Sequence, residues 1–291
     1  MTGSFISLIC AVNLVLPPSQ ESLRGNEPAP PALIEKKDIP YYEGEGKDPK
    51  KHRLDLFIPK GAKGAKVLVF VHGGAWVQGD KGFMGIYSSF GKYLARNGIV
   101  AVVISYRLAP GVKHPGQAED VARAIAWTVK NIGQEGGDPG QIYLCGHSAG
   151  GHLVSLIGCD SSYLVKEGVN SKVIRGVVSL SGIFDVSKVG FGHIFGWEYE
   201  GKKGASPVKQ VRAGLPPFLL ICADKDFPVC SPEECRKFKK ALEAKGNQVD
   251  LQVISRSNHL KVFFDAMQKE KQVSNLLLKF LESNGPIKDP G

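Results

Sequence analysis

Gly146-His147-Ser148-Ala149-Gly150 sits between Gln141-Ile142-Tyr143-Leu144-Cys145, an apolar run of strand character, and Gly151-His152-Leu153-Val154-Ser155-Leu156, a run that favours helix. A serine hydroxyl is a poor nucleophile until it is held clear of the backbone and beside a base. A sharp strand-to-helix turn does the holding, and glycines on both flanks let the chain turn without Cβ clashes. In a chain with 35 glycines the bare Gly-x-Ser-x-Gly pattern carries little weight. Its flanks supply the weight, because a strand entering and a helix leaving is one unit of an α/β sheet. Ser148 is the expected nucleophile, and the N–H of Ala149, the next residue, is an expected donor to an oxyanion.

Upstream, Val67-Leu68-Val69-Phe70-Val71-His72-Gly73-Gly74-Ala75-Trp76 carries a buried-type strand into a glycine pair. Acyl transfer builds negative charge on a carbonyl oxygen, and each preorganised backbone N–H aimed there is worth about 10²–10³ in rate. Gly74 and Ala75 are the expected donors from this loop. The blander reading is an ordinary glycine-rich connection, and His72 reads as a structural brace for it.

Serine hydrolases built on such an elbow place the acid and then the histidine later in the chain. Pro217 to Val229 runs from an apolar strand into a polar loop, at the end of the strand where open α/β sheets carry their sites. Two aspartates compete there. Asp226 fits an Ala-x-x-Asp-x-x-Val arrangement with Ala223 and Val229 and is preferred, whereas Asp224 reads as a turn stabiliser. The base is expected in Ser257-Asn258-His259-Leu260, after the strand-like Val249–Ile254. His259 is the sole histidine after Asp226.

Strand-like runs (Leu54–Ile58, Val67–Val71, Ile99–Ile104, Ile142–Cys145, Val173–Leu180, Phe218–Cys222, Val249–Ile254) alternate with helix-like runs (Tyr87–Arg96, Gln117–Asn131, Ala149–Gly158, Pro232–Lys245, Leu260–Leu281). Continuous Val/Ile/Leu strands belong in a sheet covered on both faces. The expectation is an α/β domain over residues 36–285, with a mostly parallel central sheet, helices on both faces and an antiparallel edge formed by the first strands. Asp120 is expected to serve the helix that begins near Gln117, and Trp127 to be core. With 43% apolar residues, 291 residues can fill such a core.

His72-Gly73-Gly74-Ala75-Trp76, Ser105-Tyr106-Arg107-Leu108-Ala109-Pro110, His114-Pro115, Gly137-Asp138-Pro139, the Ser148 pentapeptide with Gly151-His152-Leu153, and Asn258-His259-Leu260 together resemble the α/β-hydrolases. Within that fold the chain is similar to small, lightly capped carboxylesterases of the feruloyl/acetylxylan-esterase and hormone-sensitive-lipase-like group, over about residues 40–283. The resemblance implies a serine esterase with Ser148, Asp226 and His259 as its triad, working on a small-molecule or polysaccharide ester without a cofactor or metal. Ala75 stands where many relatives have a third glycine, and Asn258 where a glycine often precedes the base. The first departure still leaves a backbone donor. Other readings are a polysaccharide deacetylase or feruloyl esterase, an arylformamidase or peptidase-type amide hydrolase, and a binding module without catalysis.

Residues 185–214 interrupt the strand–helix rhythm with aromatics among glycines and lysines, and are expected to form a small cap over the site. Phe191, Phe195 and Trp197, with Trp76 beside the oxyanion loop, are the expected pocket residues; the blander reading is a loop anchored by its aromatics. Residues 1–35 hold an apolar run, Phe5–Leu16, then Pro17-Pro18 and a polar spacer. The run is too short to span a bilayer and reads as an export signal, although Met1–Ser4 hold no base; the alternative is a cytoplasmic enzyme. Cys145 and Cys222 read as buried thiols, and Cys230 and Cys235 could form a bridge in an exported protein. His147 and His152, five residues apart, do not have metal-ligand spacing. The net charge of +9 comes from scattered lysines and arginines without interleaved aromatics. That argues for solvated faces, with a pull toward anionic substrates, and against nucleic acid.

Overall fold

The computed structural model describes residues 31–188, 190–196, 203–283 and 285. The expected leader lies outside these residues, as does most of the spacer that follows it. Among the described residues no helix is long and apolar enough to cross a membrane.

The strands are β1 (Leu33–Pro40), β2 (Arg53–Pro59), β3 (Ala65–Val71), β4 (Val100–Ile104), β5 (Gly137–His147), β6 (Ile174–Leu180), β7 (Phe218–Lys225) and β8 (Val249–Asn258). They form one sheet in the order β1-β2-β4-β3-β5-β6-β7-β8. β1 and β2 pair antiparallel, as do β2 and β4, and every later pairing is parallel. The antiparallel edge thus falls where the sequence put it.

Side-chain alternation splits the core into two layers, one on each face of the sheet. Val67, Val69 and Val71 of β3 join Val100, Val102 and Ile104 of β4 in one layer. That layer is closed by α2 (Gly116–Asn131), α3 (Ala149–Cys159) and α6 (Pro232–Glu243). Leu68 and Phe70 join Ala101 and Val103 in the other, beneath α1 (Ile86–Arg96), α7 (His259–Ala266) and α8 (Gln272–Ser283). Both positions of the strand period are therefore apolar, which is why these strands read as unbroken Val/Ile/Leu/Phe.

Three elements depart from the sequence reading. β1 is strongly exposed and carries Glu35, Lys36, Lys37 and Asp38, so apolar periodicity gives no sign of it; backbone pairing to β2 makes it a strand. The long terminal helix is two, α7 and α8. The break holds Glu270 at φ 62°, and the Ser274 hydroxyl donates to the carbonyls of Gln268 (2.5 Å) and Lys271 (2.9 Å) across it. A further short helix, α4 (Ser162–Lys166), follows α3.

The segment after β6 packs inward. Its short helix α5 (Gly192–Phe195) is tied to the loop after β4 by the His114 N–H donating to the Ile194 carbonyl, 2.9 Å. The Val208 N–H donates to Phe184, 3.0 Å, and Ile194, Phe195 and Ala205 are buried.

Candidate active site

Ser148 stands between the end of β5 and the first residue of α3, at φ 55° and ψ −118°. A non-glycine residue held there costs of order 1–3 kcal/mol and persists only where its surroundings impose it. They do. Its N–H donates to the Leu180 carbonyl at 2.9 Å and its carbonyl accepts from His152 at 3.0 Å. A Cβ on Gly150 would lie 2.0 Å from the Val71 carbonyl oxygen, so only glycine lets α3 start this close to β3.

The loop after β3 turns through three consecutive positive φ values, Gly74 at 115°, Ala75 at 52° and Trp76 at 61°. The Gly74 carbonyl accepts both the Val77 and Gln78 N–H groups, 3.1 and 3.0 Å. A Cβ on Gly74 would sit 2.1 Å from the Gln78 carbonyl oxygen. Among the described residues no acceptor takes the N–H of Gly74, Ala75 or Ala149. Gly74 and Ala75 line the cavity that holds Ser148. His72 braces the loop: its Nδ1–H donates to the Gly73 carbonyl at 2.6 Å and its ring stacks on Tyr106, centroids 4.3 Å apart. Burial lowers its pKa to about 4, so it stays neutral.

Of the two competing aspartates, Asp226 meets the histidine. Its Oδ1 accepts from His259 Nδ1 at 2.7 Å and from the Phe227 N–H at 2.8 Å. Its Oδ2 accepts from the Ser181 hydroxyl at 2.6 Å and the Ala223 N–H at 3.2 Å. Burial pushes the carboxyl pKa up, but the hydrogen bonds from His259, Ser181 and Ala223 outweigh it and hold the group below the ordinary carboxylate range. Asp224 instead accepts the N–H groups of Arg256 and Ser257, both 2.9 Å, fixing the turn that delivers the histidine. His259 is the first residue of α7, capped by Asn258, whose Oδ1 accepts from the Lys261 N–H at 2.9 Å. Asn258 thus has its own use where a glycine was expected. With Nδ1–H given to Asp226, a neutral His259 presents Nε2 as a base, and His259 and Ser148 line one cavity.

That cavity has a volume of about 270 Å³. Its apolar walls are Phe83, Met84, Tyr87, Phe227 and Leu260. Of the expected pocket aromatics, Trp76, Phe191 and Phe195 do not line it. Trp76 is buried on the far side of the oxyanion loop, where its Nε1–H donates to His152 Nδ1 at 3.2 Å, and His152 Nε2–H donates to the Ala205 carbonyl at 2.7 Å. Phe191 and Phe195 pack on Trp76, centroids 5.4 and 4.9 Å away. Trp197 lies outside the described residues. Among the described residues of 185–214 none lines the cavity; Phe191 and Phe195 pack behind the Gly73–Trp76 loop, and Phe83, Met84 and Tyr87 supply apolar wall.

Ser181 is the residue that sequence reading missed. It follows β6 directly, and its position beside β7 is the signal that could have found it. His147 was not assigned a role either: its Nε2–H donates to the His259 carbonyl at 3.0 Å, and burial, with the neighbouring His259, lowers its pKa to about 3. Cys230 and Cys235 are separate buried thiols rather than a bridge. Asp226, Cys230 and His259 have ligand-type atoms within 4.8 Å of one another. The first and last are already hydrogen-bonded to each other, and burial pushes the Cys230 thiol pKa well up.

A family model, BD-FAE, matches residues 54–242, which hold the elbow, the oxyanion loop and Asp226. The chain belongs to the BD-FAE family. Several similar proteins are esterases by name. Esterase LipC of Mycobacterium tuberculosis is 35% identical over 202 residues, 62% of this chain and 49% of LipC. Kynurenine formamidase of Danio rerio is 26% identical over 260 residues, 84% of this chain and 81% of that one. Esterase B from Lactobacillus rhamnosis superposes with a TM-score of 0.74 over 89% of this chain and 88% of its own, at 22% identity. This BD-FAE member therefore has the α/β-hydrolase fold, and it spans about half the length of the curated esterases it matches first.

Proposed function

We propose that the protein is a serine carboxylesterase that hydrolyses compact carboxylic esters through an acyl-enzyme. The observation that carries this is the Asp226–His259 hydrogen bond of 2.7 Å, with His259 lining the cavity that holds the strained Ser148. Ser148 attacks the ester carbonyl as His259 Nε2 takes its proton. Asp226 keeps Nδ1 protonated and stabilises the imidazolium that forms. The N–H groups of Gly74, Ala75 and Ala149 receive the oxyanion. His259 then returns the proton to the leaving alcohol, and water repeats the sequence on the acyl-enzyme. A volume of about 270 Å³ with apolar walls suits a short acyl group or a single ring. Export of the enzyme belongs to the same proposal and rests on the apolar run Phe5–Leu16.

Hydrolysis of p-nitrophenyl esters from acetate to laurate is expected to favour the short chains. Ser148→Ala is expected to lower kcat by about 10⁶. A residual rate within tenfold of the unaltered enzyme would overturn the assignment. The likeness to a kynurenine formamidase over most of both chains favours a second reading, cleavage of an aryl formamide. Faster turnover of an aryl formamide than of the matching formate ester would select it.

A further inference from the structure

Gly79 and Phe83 line the catalytic cavity, whereas Asp80, Lys81 and Gly82 between them line a second, open groove of about 590 Å³. Lys50, Lys51 and Arg53 face that groove from the approach to β2. Two carboxylates line it, Asp38 and Asp80, and two more, Asp55 and Asp48, lie close to its cations. Asp38 and Asp55 both bind the buried Lys81 ammonium, at 2.6 and 2.7 Å, and Asp80 accepts the Gly82 N–H at 2.7 Å. Asp48, beside Lys51, accepts the N–H groups of Lys50 and Lys51 at 2.8 and 3.0 Å.

The other cations form no ion pair among the described residues, although the charge of Asp38 is felt at Arg53 and those of Asp80 and Asp48 at Lys51. The Arg53 guanidinium donates to the carbonyls of Pro49 (2.8 Å) and Asp38 (2.9 Å). The Lys51 ammonium donates to the Gly79 carbonyl at 2.6 Å. Burial lowers the Lys51 pKa, and the charges of Asp80 and Asp48 only partly offset it. Lys50 is exposed and forms no ion pair among the described residues. Phe83 and Met84, which follow the groove residue Gly82 in the chain and line the catalytic cavity, are 46% and 59% exposed, the large apolar side chains left open at that cavity among the described residues.

We propose that this groove is a subsite for an oxyanion on the non-reacting part of the ester, which crosses the exposed faces of Phe83 and Met84 to reach Lys50, Lys51 and Arg53. The substrate class is then an acyl ester of an anionic molecule, such as an acidic saccharide, whose carboxylate or sulfate lies outside the catalytic cavity. The proposal rests on the esterase reading for its substrate and on the groove alone for its binding. Because two of the three cations are partly open to water, the attraction is screened by salt over about 8 Å at physiological ionic strength.

The test compares acetate release from an acetylated galacturonate trimer and from neutral acetylated xylotriose. The ratio of kcat/KM, anionic over neutral, is expected to fall about tenfold in Lys50→Glu and severalfold in Lys51→Gln. About 0.5 M NaCl should erase most of the difference between the unaltered enzyme and Lys50→Glu. A ratio unchanged in both variants, whether the rates fall together or not at all, would overturn the subsite. Calorimetry on Ser148→Ala separates the two claims. Unacetylated galacturonate trimer and a sulfated galactose trimer should bind it, each at least fivefold more weakly once Lys50→Glu is added, and the tighter of the two names the oxyanion. Weakened binding without acetate release in any variant would sink the esterase reading and leave the subsite standing. Binding indifferent to Lys50→Glu would sink the subsite.

Discussion

At the residue scale the proposed acid–base pair of Asp226 and His259 depends on a third side chain, which bonds Asp226 alone of the two. Ser181 is fully buried at φ 49°, and its N–H is taken by the Ile221 carbonyl at 2.7 Å. Only its hydroxyl faces Asp226. Removing it leaves Oδ2 with the Ala223 N–H at 3.2 Å, and a hydrogen bond to a charged group is worth about 1.5–3 kcal/mol. Ser181→Ala is expected to lower kcat by about ten- to a hundredfold with KM nearly unchanged, since the carboxylate is freer to turn from His259. The Asp226 pKa, held low in the folded protein, should move up. Its contribution to stability, present above the ordinary carboxylate pKa, would then be lost at a higher pH as the solution is acidified. Steady-state kinetics beside acid titrations of the variant check this, and a changed KM with unchanged kcat would assign Ser181 to substrate binding instead. Ser148, His259 and the Gly74–Ala75 loop were legible because each follows a strand that announces itself. Ser181 was not, because it is one of many serines until β6 is placed next to β7.

At the scale of elements, Asp120 locks three segments together rather than serving its own helix. It is fully buried on α2, and its carboxylate accepts from His52 Nε2 (2.9 Å) ahead of β2 and from Arg123 Nη1 (3.0 Å) one turn on. It also takes the backbone N–H, Nε and Nη2 of Arg107 after β4, at 2.9, 2.8 and 2.8 Å. Burial alone would raise its pKa, and the bonds from His52 and Arg107 hold it down. Breaking such a buried ion cluster from one side costs about 3–5 kcal/mol, because the remaining charges stay buried without a partner. Urea unfolding of Asp120→Asn should show a loss of that size. A loss under about 1 kcal/mol would mean that Arg107 and Arg123 reach water when released. Sequence periodicity predicted α2 itself, since an amphipathic helix is a local pattern. It could not predict this cluster, whose members lie 13 and 68 residues apart and meet only once β2 and β4 are paired. The same limit hid β1, a charged edge strand fixed by backbone bonds alone.

At the scale of the whole molecule, three buried histidines, His72, His147 and His152, and the half-buried His114 resist protonation in the fold, and that shapes the response to acid. Burial, the largest cause in each case, lowers His72 and His114 to about 4 and His147 and His152 to about 3. The unfolded chain takes up protons near pH 6.5, the folded chain only near pH 3–4, so stability is complete above 6.5 and falls through that window as pH drops. Four such groups give a slope of roughly 5 kcal/mol per pH unit near pH 5. Urea midpoints at pH 7, 6 and 5 should decline steeply, with unfolding at pH 5 taking up close to four protons; a flat profile would show that these rings charge within the fold. The amino-acid sequence by itself determined the doubly covered parallel sheet, the strand-to-helix turn at Ser148 and the glycine turn after β3, because each is written in neighbouring residues. Tertiary structure decided the rest. Trp76 and Phe195 read as pocket residues and became core, the pocket wall came from Phe83 to Tyr87, and Ser181 and Asp120 took their roles. Burial and partnership depend on which strands lie side by side, and the order β2-β4-β3-β5-β6-β7 joins residues that no local pattern connects.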